Sequence, residues 1–244
     1  LTAEKVVQKY DISREAQDQF AYESHQKAIH ANNSGLFENE IVPISTVNDS
    51  YSVKSNEYIK NTNIVSKDEG PREDTSIEVL AKLRTVFAQD GSVTAGNSSQ
   101  MSDAAAAVLV ASEEAVEKYN LTPKAEFMGF SVAGVPAEIM GIGPVKAVPK
   151  VLSSLGLGLD EIGWIELNEA FAAQSLAVIK ELKLDPEKVN PLGGAIALGH
   201  PLGATGAIRV ATLVSAMQRE KIDYGMVTMC IGTGMGAAGI IKRC

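Results

Sequence analysis

The residue types best suited to proton transfer stand at glycine-bounded positions between Asn168 and Gly236. In Cys230-Ile231-Gly232-Thr233-Gly234-Met235-Gly236 a thiol ends an apolar run and a glycine loop follows. The bland reading is a buried structural cysteine. A thiol at a strand end beside free backbone N–H groups can also donate or accept a proton next to an oxyanion hole. His200 lies inside Gly193-Gly194-Ala195-Ile196-Ala197-Leu198-Gly199-His200-Pro201-Leu202-Gly203-Ala204-Thr205-Gly206, just before a predicted helix. So many glycines let the backbone approach another group closely, because no Cβ intervenes. His25 and His30 lack such a context and are expected to face solvent. Asn168, in Asn168-Glu169-Ala170-Phe171, reads most simply as a helix N-cap. It also stands where a strand hands over to a helix, a place where α/β proteins put their sites. Gly234-Met235-Gly236-Ala237-Ala238-Gly239 fits the dinucleotide pattern GxGxxG, but too few residues follow for the helix and second strand that the fingerprint needs. A nicotinamide-dependent oxidoreductase is therefore rejected.

These groups must be held by elements whose periods change along the chain. Helices are expected at Thr2–Tyr10, from Ser13 to Gly35 with Ala16, Phe20, Ser24 and Ala28 on one face, and at Ser76–Phe87. Ile41–Ser45 reads as a strand and Asn48–Glu69, rich in Asn, Ser and Lys, as loop. Beyond this, short apolar or β-branched runs alternate with helical patterns, which argues for an α/β domain. Strands are expected at Ala104–Val110, Glu126–Ala133, Trp164–Leu167, Met226–Cys230 and Ala237–Lys242. Helices are expected at Glu113–Tyr119, Pro144–Leu155, Glu169–Leu182 and Ala204–Glu220.

Composition narrows the function classes. The 244 residues are 45% hydrophobic and 21% charged, with a net charge of −8. A chain of this make-up can bury a full core, and without a basic stripe nucleic acid is not an expected partner. No apolar run approaches the roughly 20 residues of a membrane span, and no leader pattern opens the chain. Two cysteines, Cys230 and Cys244, are too few for a disulfide framework. A reduced, intracellular setting is expected, cytoplasmic in a bacterium.

Taken together, NEAFA at Asn168–Ala172, GGAIALGHPLGATG at Gly193–Gly206 and CIGTGMG at Cys230–Gly236 resemble the three C-terminal signatures of thiolases, in the same order and with the same separations. TAGNSSQMSDAAAA at Thr94–Ala107 resembles the coenzyme-A-binding stretch of that family, and TAEKV at Thr2–Val6 the start of its helical loop region. The resemblance implies a layered α-β-α-β-α fold. Residues 1–98 would form the loop domain, 99–121 the end of the N-terminal α/β half and 122–244 the C-terminal half. SSQ at Ser98–Gln100 and VPAEIMGIGP at Val135–Pro144 look like the degradative 3-ketoacyl-CoA type, with a biosynthetic acetoacetyl-CoA thiolase as the alternative. By position, His200 would be the base that activates a nucleophilic cysteine, and Cys230 the second acid/base. Asn168 with His200 would form one oxyanion hole through a water, and the N–H of Gly232 would help form the other. A thiol of reference pKa about 8.5, lowered further by a neighbouring imidazole, would suit that exchange. Ser99 would bind the pantetheine arm, Met140 and Phe171 would line the thioester pocket, and Arg72 would flank the adenine. Coenzyme A would be a substrate, with no metal or prosthetic group, and the assembly a homodimer or a dimer of dimers.

One departure stands out. The family's nucleophilic cysteine precedes the stretch matched by Thr2–Val6, and neither Cys230 nor Cys244 aligns with it. The chain is therefore expected to be inactive alone, with Leu1 not the native start. A decarboxylating condensing enzyme is disfavoured, because those usually pair the nucleophile with two histidines or with histidine and asparagine, whereas Asn, His and Cys stand here. A non-catalytic acyl-CoA- or lipid-binding protein is the reading of another class, opposed by the intact Asn168, His200 and Cys230.

Overall fold

The computed structural model describes residues 1–244. The helices are α1 (Thr2–Tyr10), α2 (Arg14–Asn33), α3 (Ile77–Ala81), α4 (Glu113–Lys118), α5 (Gly143–Leu155), α6 (Ala172–Leu182), α7 (Ala195–Leu198) and α8 (Thr205–Glu220). The strands are β1 (Ile44–Ser52), β2 (Glu57–Val65), β3 (Ala125–Gly134), β4 (Ile162–Leu167), β5 (Tyr224–Ile231) and β6 (Met235–Arg243).

The centre is a four-stranded sheet of order β3-β6-β5-β4. β4 and β5 run parallel, and the other two pairings are antiparallel. Alternation along the strands divides the side chains between two covers. Ile165, Leu167, Met226, Ala238 and Ile240 face Ala147, Val148 and Val151 of α5 and Val178 of α6. Trp164, Val227 and Ile241 face Leu213, Ala216 and Met217 of α8, with Ala31 of α2 and Phe37 beyond it. Each large side chain buried this way contributes about 1.5–3 kcal/mol. GxGxxG, rejected as a dinucleotide loop, lies mostly in strand β6, which pairs with both β3 and β5.

The second cover carries a buried charge pair. Glu166 lies on the face of β4 shared with Trp164, and its Oε2 is 3.1 Å from Arg209 Nη1 of α8. The Trp164 indole N–H donates to Glu166 Oε1 at 2.7 Å, and Arg209 Nη1 also reaches the Gly193 carbonyl at 3.4 Å. Burial pushes the Glu166 carboxyl upward, while the guanidinium and the indole oppose it. The pair thus ties the start of the glycine-rich turn to the sheet.

Several sequence expectations are corrected. Ala104–Val110 is not a strand: it makes no ladder and is exposed along its length. Its apolar run has no neighbouring strand to complete its backbone hydrogen bonds. Asn48–Glu69 is mainly hairpin rather than loop, with β1 and β2 paired from Ile44↔Val65 to Ser52↔Glu57. The hairpin is almost wholly exposed, so no hydrophobic alternation marks it. β-Branched residues and the Tyr51–Tyr58 pair, 5.1 Å between rings, support it instead. The strand expected at Ile41 begins three residues later, at Ile44. The helix expected to Phe87 stops at Ala81, because the chain turns back and Val86 N–H bonds the Val93 carbonyl.

α2 begins as expected, with Ser13 Oγ accepting from Ala16 N–H. Its buried stripe is rotated from the expected one and includes Gln17, Asp18, Ala21, Ser24, His25 and Ala28. The reason is a second cover from residues 72 to 97: Arg72 meets His25, Ser92 meets Gln17, Asn97 meets Asp18, and Leu80 packs with Ala21. His25 is accordingly buried, its Nδ1 accepting the Arg72 N–H at 3.1 Å, whereas His30 is exposed.

Glu166 and Arg209 generate a stability prediction. Arg209→Ala in the complete protein leaves a buried carboxylate without its cation and is expected to cost about 3–5 kcal/mol. Chemical denaturation measures this, and a change near zero would show that the pair is not coupled in the folded state.

Candidate active site

Parallel pairing sets the first coordinates of the site. Leu167 of β4 lies opposite Thr228 of β5, and Asn168 N–H continues the ladder to the Thr228 carbonyl at 3.0 Å. Both strands therefore deliver their carboxyl ends to one edge of the sheet, Asn168 from one and Cys230 from the other. The opening in front of such strand ends is where α/β sheets bind ligands.

Asn168 is not the helix N-cap. α6 starts three residues after Glu169, capped at Phe171, whose N–H donates to Gln174 Oε1 at 3.0 Å. The delay comes from extended pairing: Ser99 N–H bonds Ala170 O at 3.0 Å, and Ala172 N–H bonds Asn97 O at 2.9 Å. Asn168 is buried, with its Nδ2 3.2 Å from His200 Nε2. Its Oδ1 is buried without a partner in the chain.

The protonation of His200 follows from its neighbours. Thr205 Oγ1 donates to the Pro201 carbonyl at 2.9 Å, so towards His200 Nδ1, 2.7 Å away, it can only accept. The ring proton therefore sits on Nδ1, leaving the Nε2 lone pair to accept from Asn168 Nδ2. Burial, reinforced by the Arg209 charge, lowers the pKa of His200 from 6.5. At neutral pH it is an uncharged imidazole with a basic Nε2. Gln100 braces this turn, its Nε2 donating to the Ile196 and Ala197 carbonyls at 3.1 Å each. The His200 N–H bonds the Gln100 carbonyl at 3.3 Å.

Cys230 is buried, and that burial pushes its thiol up to about 11. The expectation of an imidazole-lowered pKa is overturned, because desolvation of the thiolate outweighs the other influences. At neutral pH Cys230 holds its proton and is suited to giving it away. The next turn bends through Thr233 (φ 72°) and Gly234 (φ 100°). Gly232 is exposed, and its N–H makes no hydrogen bond within the chain. Val135 N–H bonds the Gly234 carbonyl at 2.7 Å, holding the segment that leads to Met140 against this loop. Across the next turn, a Cβ at Gly143 would collide with the backbone of Gly236.

The remaining candidates are dispersed. Ser99 is half-buried, its backbone N–H donating to the Ala170 carbonyl. Met140 is half-buried in the turn Ala137–Ile142. Phe171 meets Phe87 edge-on at 6.0 Å. Arg72 is exposed, its guanidinium 2.8 Å from Asp74. Sequence reasoning did not single out Thr205, Gln100 or Glu169. Thr205 lies one turn into the His200 segment, and that spacing was the available signal. Among all residues, no group of three or more His, Cys, Asp or Glu is arranged to hold a metal ion.

With this geometry in place, comparison with known proteins defines the class. "Thiolase, N-terminal domain" matches residues 1–114 and "Thiolase, C-terminal domain" matches residues 121–243, so the chain belongs to the thiolase family. It is 50% identical over 243 residues to a 3-ketoacyl-CoA thiolase of Bacillus subtilis, covering 100% of this chain and 62% of that protein. It superposes on the acetyl-CoA acetyltransferase of Bacillus anthracis with TM-score 0.92 and 44% identity, covering 100% of this chain and 59% of the other. For the dimeric peroxisomal thiolase of Saccharomyces cerevisiae the TM-score is 0.86 and the identity 45%, with coverages of 100% and 58%. The chain thus spans about three-fifths of the length of these relatives and has the thiolase fold over that span.

The contrast between the cysteines is directly testable. With iodoacetamide at mildly alkaline pH, exposed Cys244 is expected to alkylate and Cys230 to be spared until the protein is unfolded. Peptide mass spectrometry reads both, and equal labelling of the two in the native protein would contradict the burial of Cys230.

Proposed function

We propose that the complete protein is a 3-ketoacyl-CoA thiolase that cleaves 3-ketoacyl-CoA with coenzyme A to acetyl-CoA and a shortened acyl-CoA. The observation that carries this reading is the combination of an uncharged His200, oriented by Asn168 and Thr205, with a protonated Cys230 at the neighbouring strand end. One is a base and the other an acid at the same pH, as reversible Claisen cleavage requires.

The nucleophilic cysteine is assigned outside residues 1–244. His200 Nε2 takes its proton, and the thiolate attacks the 3-keto carbon. The C2–C3 bond then breaks, its electron pair going to the acetyl-CoA enolate, which takes the Cys230 proton at C2. The acyl group stays on the nucleophile as a thioester. In the second half, coenzyme A gives its thiol proton to the Cys230 thiolate and attacks this thioester, releasing the shortened acyl-CoA while the nucleophilic cysteine leaves as a thiolate and recovers its proton from His200. Asn168, through a water, and His200 face the thioester oxygen of the departing acetyl-CoA. The free N–H of Gly232 faces the tetrahedral oxyanion, where one such donor is worth about 2.7–4 kcal/mol. Ser99 takes the pantetheine arm, Met140 and Phe171 border the thioester, and Arg72 lies toward the adenine.

Residues 1–98 are assigned as the loop domain, 99–121 as the end of the N-terminal half and 122–244 as the C-terminal half. The family matches change over within the gap from 114 to 121, which supports that last boundary. No helix is long and apolar enough to cross a membrane. The dimeric yeast relative supports a homodimer, and two free cysteines accord with an intracellular setting. The likeness to the Bacillus anthracis acetyltransferase supports a second reading, a biosynthetic acetoacetyl-CoA thiolase. Comparing kcat/KM for acetoacetyl-CoA and longer 3-ketoacyl-CoA substrates separates the two.

Cys230→Ala and His200→Ala in the complete enzyme are each expected to lower thiolysis by at least about 10²-fold with the fold retained. Near-normal turnover of folded Cys230→Ala would remove the acid/base assignment. Ser99→Trp is expected to raise the KM for coenzyme A with a smaller effect on kcat, and an unchanged KM would take Ser99 out of the pantetheine site.

A further inference from the structure

We propose that Glu169 is a positioning residue whose carboxylate fixes the Asn168–His200 pair by joining the end of β4, the turn before His200 and helix α2. Glu169 is 1% exposed, and each of its oxygens is engaged. Oε1 accepts from Asn190 Nδ2 at 2.8 Å. Oε2 accepts from the Ser24 hydroxyl at 2.7 Å and from the Ile196 N–H at 3.2 Å. Ser24 Oγ in turn accepts the Gly194 N–H at 3.0 Å. Asn190 completes the edge of β4, its Oδ1 accepting from Leu167 N–H at 2.9 Å and its Nδ2 donating to Leu167 O at 2.8 Å.

One carboxylate therefore holds both partners of the catalytic pair. Asn168 precedes it in the chain and follows Leu167, so the Asn190 clamp fixes the approach to Asn168. On the other side, Ile196 N–H and Gly194 N–H are fixed four and six residues before His200. The fit is tight, since a Cβ at Gly194 would collide with both Glu169 oxygens. That close approach explains the need for glycine at this position.

Every contact of Glu169 requires an acceptor. The Ile196 N–H can only donate. The Ser24 hydroxyl accepts the Gly194 N–H and gives its own hydrogen to Glu169 Oε2. Asn190 cannot flip, because its Oδ1 faces the Leu167 N–H. In Glu169→Gln the new NH₂ must therefore face a donor on one side or the other. A near-isosteric change is enough to break the clamp, since a buried unmatched donor is costly.

The test uses the full-length protein and three readouts: the His200 imidazole titration by NMR, steady-state kinetics and coenzyme A binding. Only the kinetic arm rests on the thiolase reading, and the titration reports the clamp whatever reaction is catalysed. In Glu169→Gln, His200 loses the Asn168 donor on Nε2 and gains solvent, so its pKa is expected to rise toward 6.5. Burial and Arg209 shape this titration, and the Glu169 charge is not among the influences on it. kcat is expected to fall on the order of 10- to 100-fold, the scale of a small misplacement, with coenzyme A affinity retained. Ser24→Ala, which removes one donor and leaves the carboxylate in place, is expected to move both quantities in the same direction by less, and it serves if Glu169→Gln does not fold. An unmoved His200 titration in the folded variants would overturn the proposal, even if activity fell. A shifted titration without thiolase activity in the wild type would retain the clamp and remove the functional reading.

Discussion

Parallel pairing of β4 with β5 is the constraint on which the site depends. Its register, Leu167 opposite Thr228, sends Asn168 and Cys230 out of the same sheet edge. No local preference of either segment could arrange this, because parallel neighbours must be joined by a long crossover. Here the crossover consists of α6, α7 and α8 with their connections, and the glycine-rich turn bearing His200 lies within it. The connection between two paired strands thus brings the third functional group to the edge where they end.

Desolvation then sorts the chemistry. Burial lowers His200 and raises Cys230, since in each case the charged form is penalised. For an imidazole the neutral form is the base, and for a thiol it is the acid. One dominant cause therefore leaves one group a neutral base and the other a neutral acid, with the Arg209 charge reinforcing it at His200. The orientation of His200 comes separately, from Thr205 and Asn168, whose hydrogen bonds leave one ring tautomer.

The polar interior around the site is organised to keep these groups still. Glu166 with Arg209 and Glu169 with Asn190 sit one residue to each side of the Leu167-Asn168 step, the first within β4 and the second just beyond its end. Each joins β4 to the segment Gly193–Ile196, through the Gly193 carbonyl in the first case and the Ile196 N–H in the second. Buried groups of this kind stabilise only when their partners are complete, which makes the geometry brittle to single changes and narrow in the positions that it allows.

The sequence alone determined much of this protein. Apolar periodicity marked the four strands of the sheet and α5, α6 and α8 to within a few residues, because those elements are buried on defined faces and their patterns record it. His200 and Cys230 were legible because glycines beside them let the chain approach itself too closely for side chains, and Asn168 because it stands where a strand ends. What periodicity could not reveal was the exposed hairpin β1–β2, held by backbone pairing with no face to bury, or the cover that buries His25. Nor could it give the proton on His200 or the elevated thiol of Cys230. Those depend on Thr205, Arg209 and the surrounding apolar atoms, which are brought together only by the folded chain, and desolvation is a property of that assembly rather than of any residue in it.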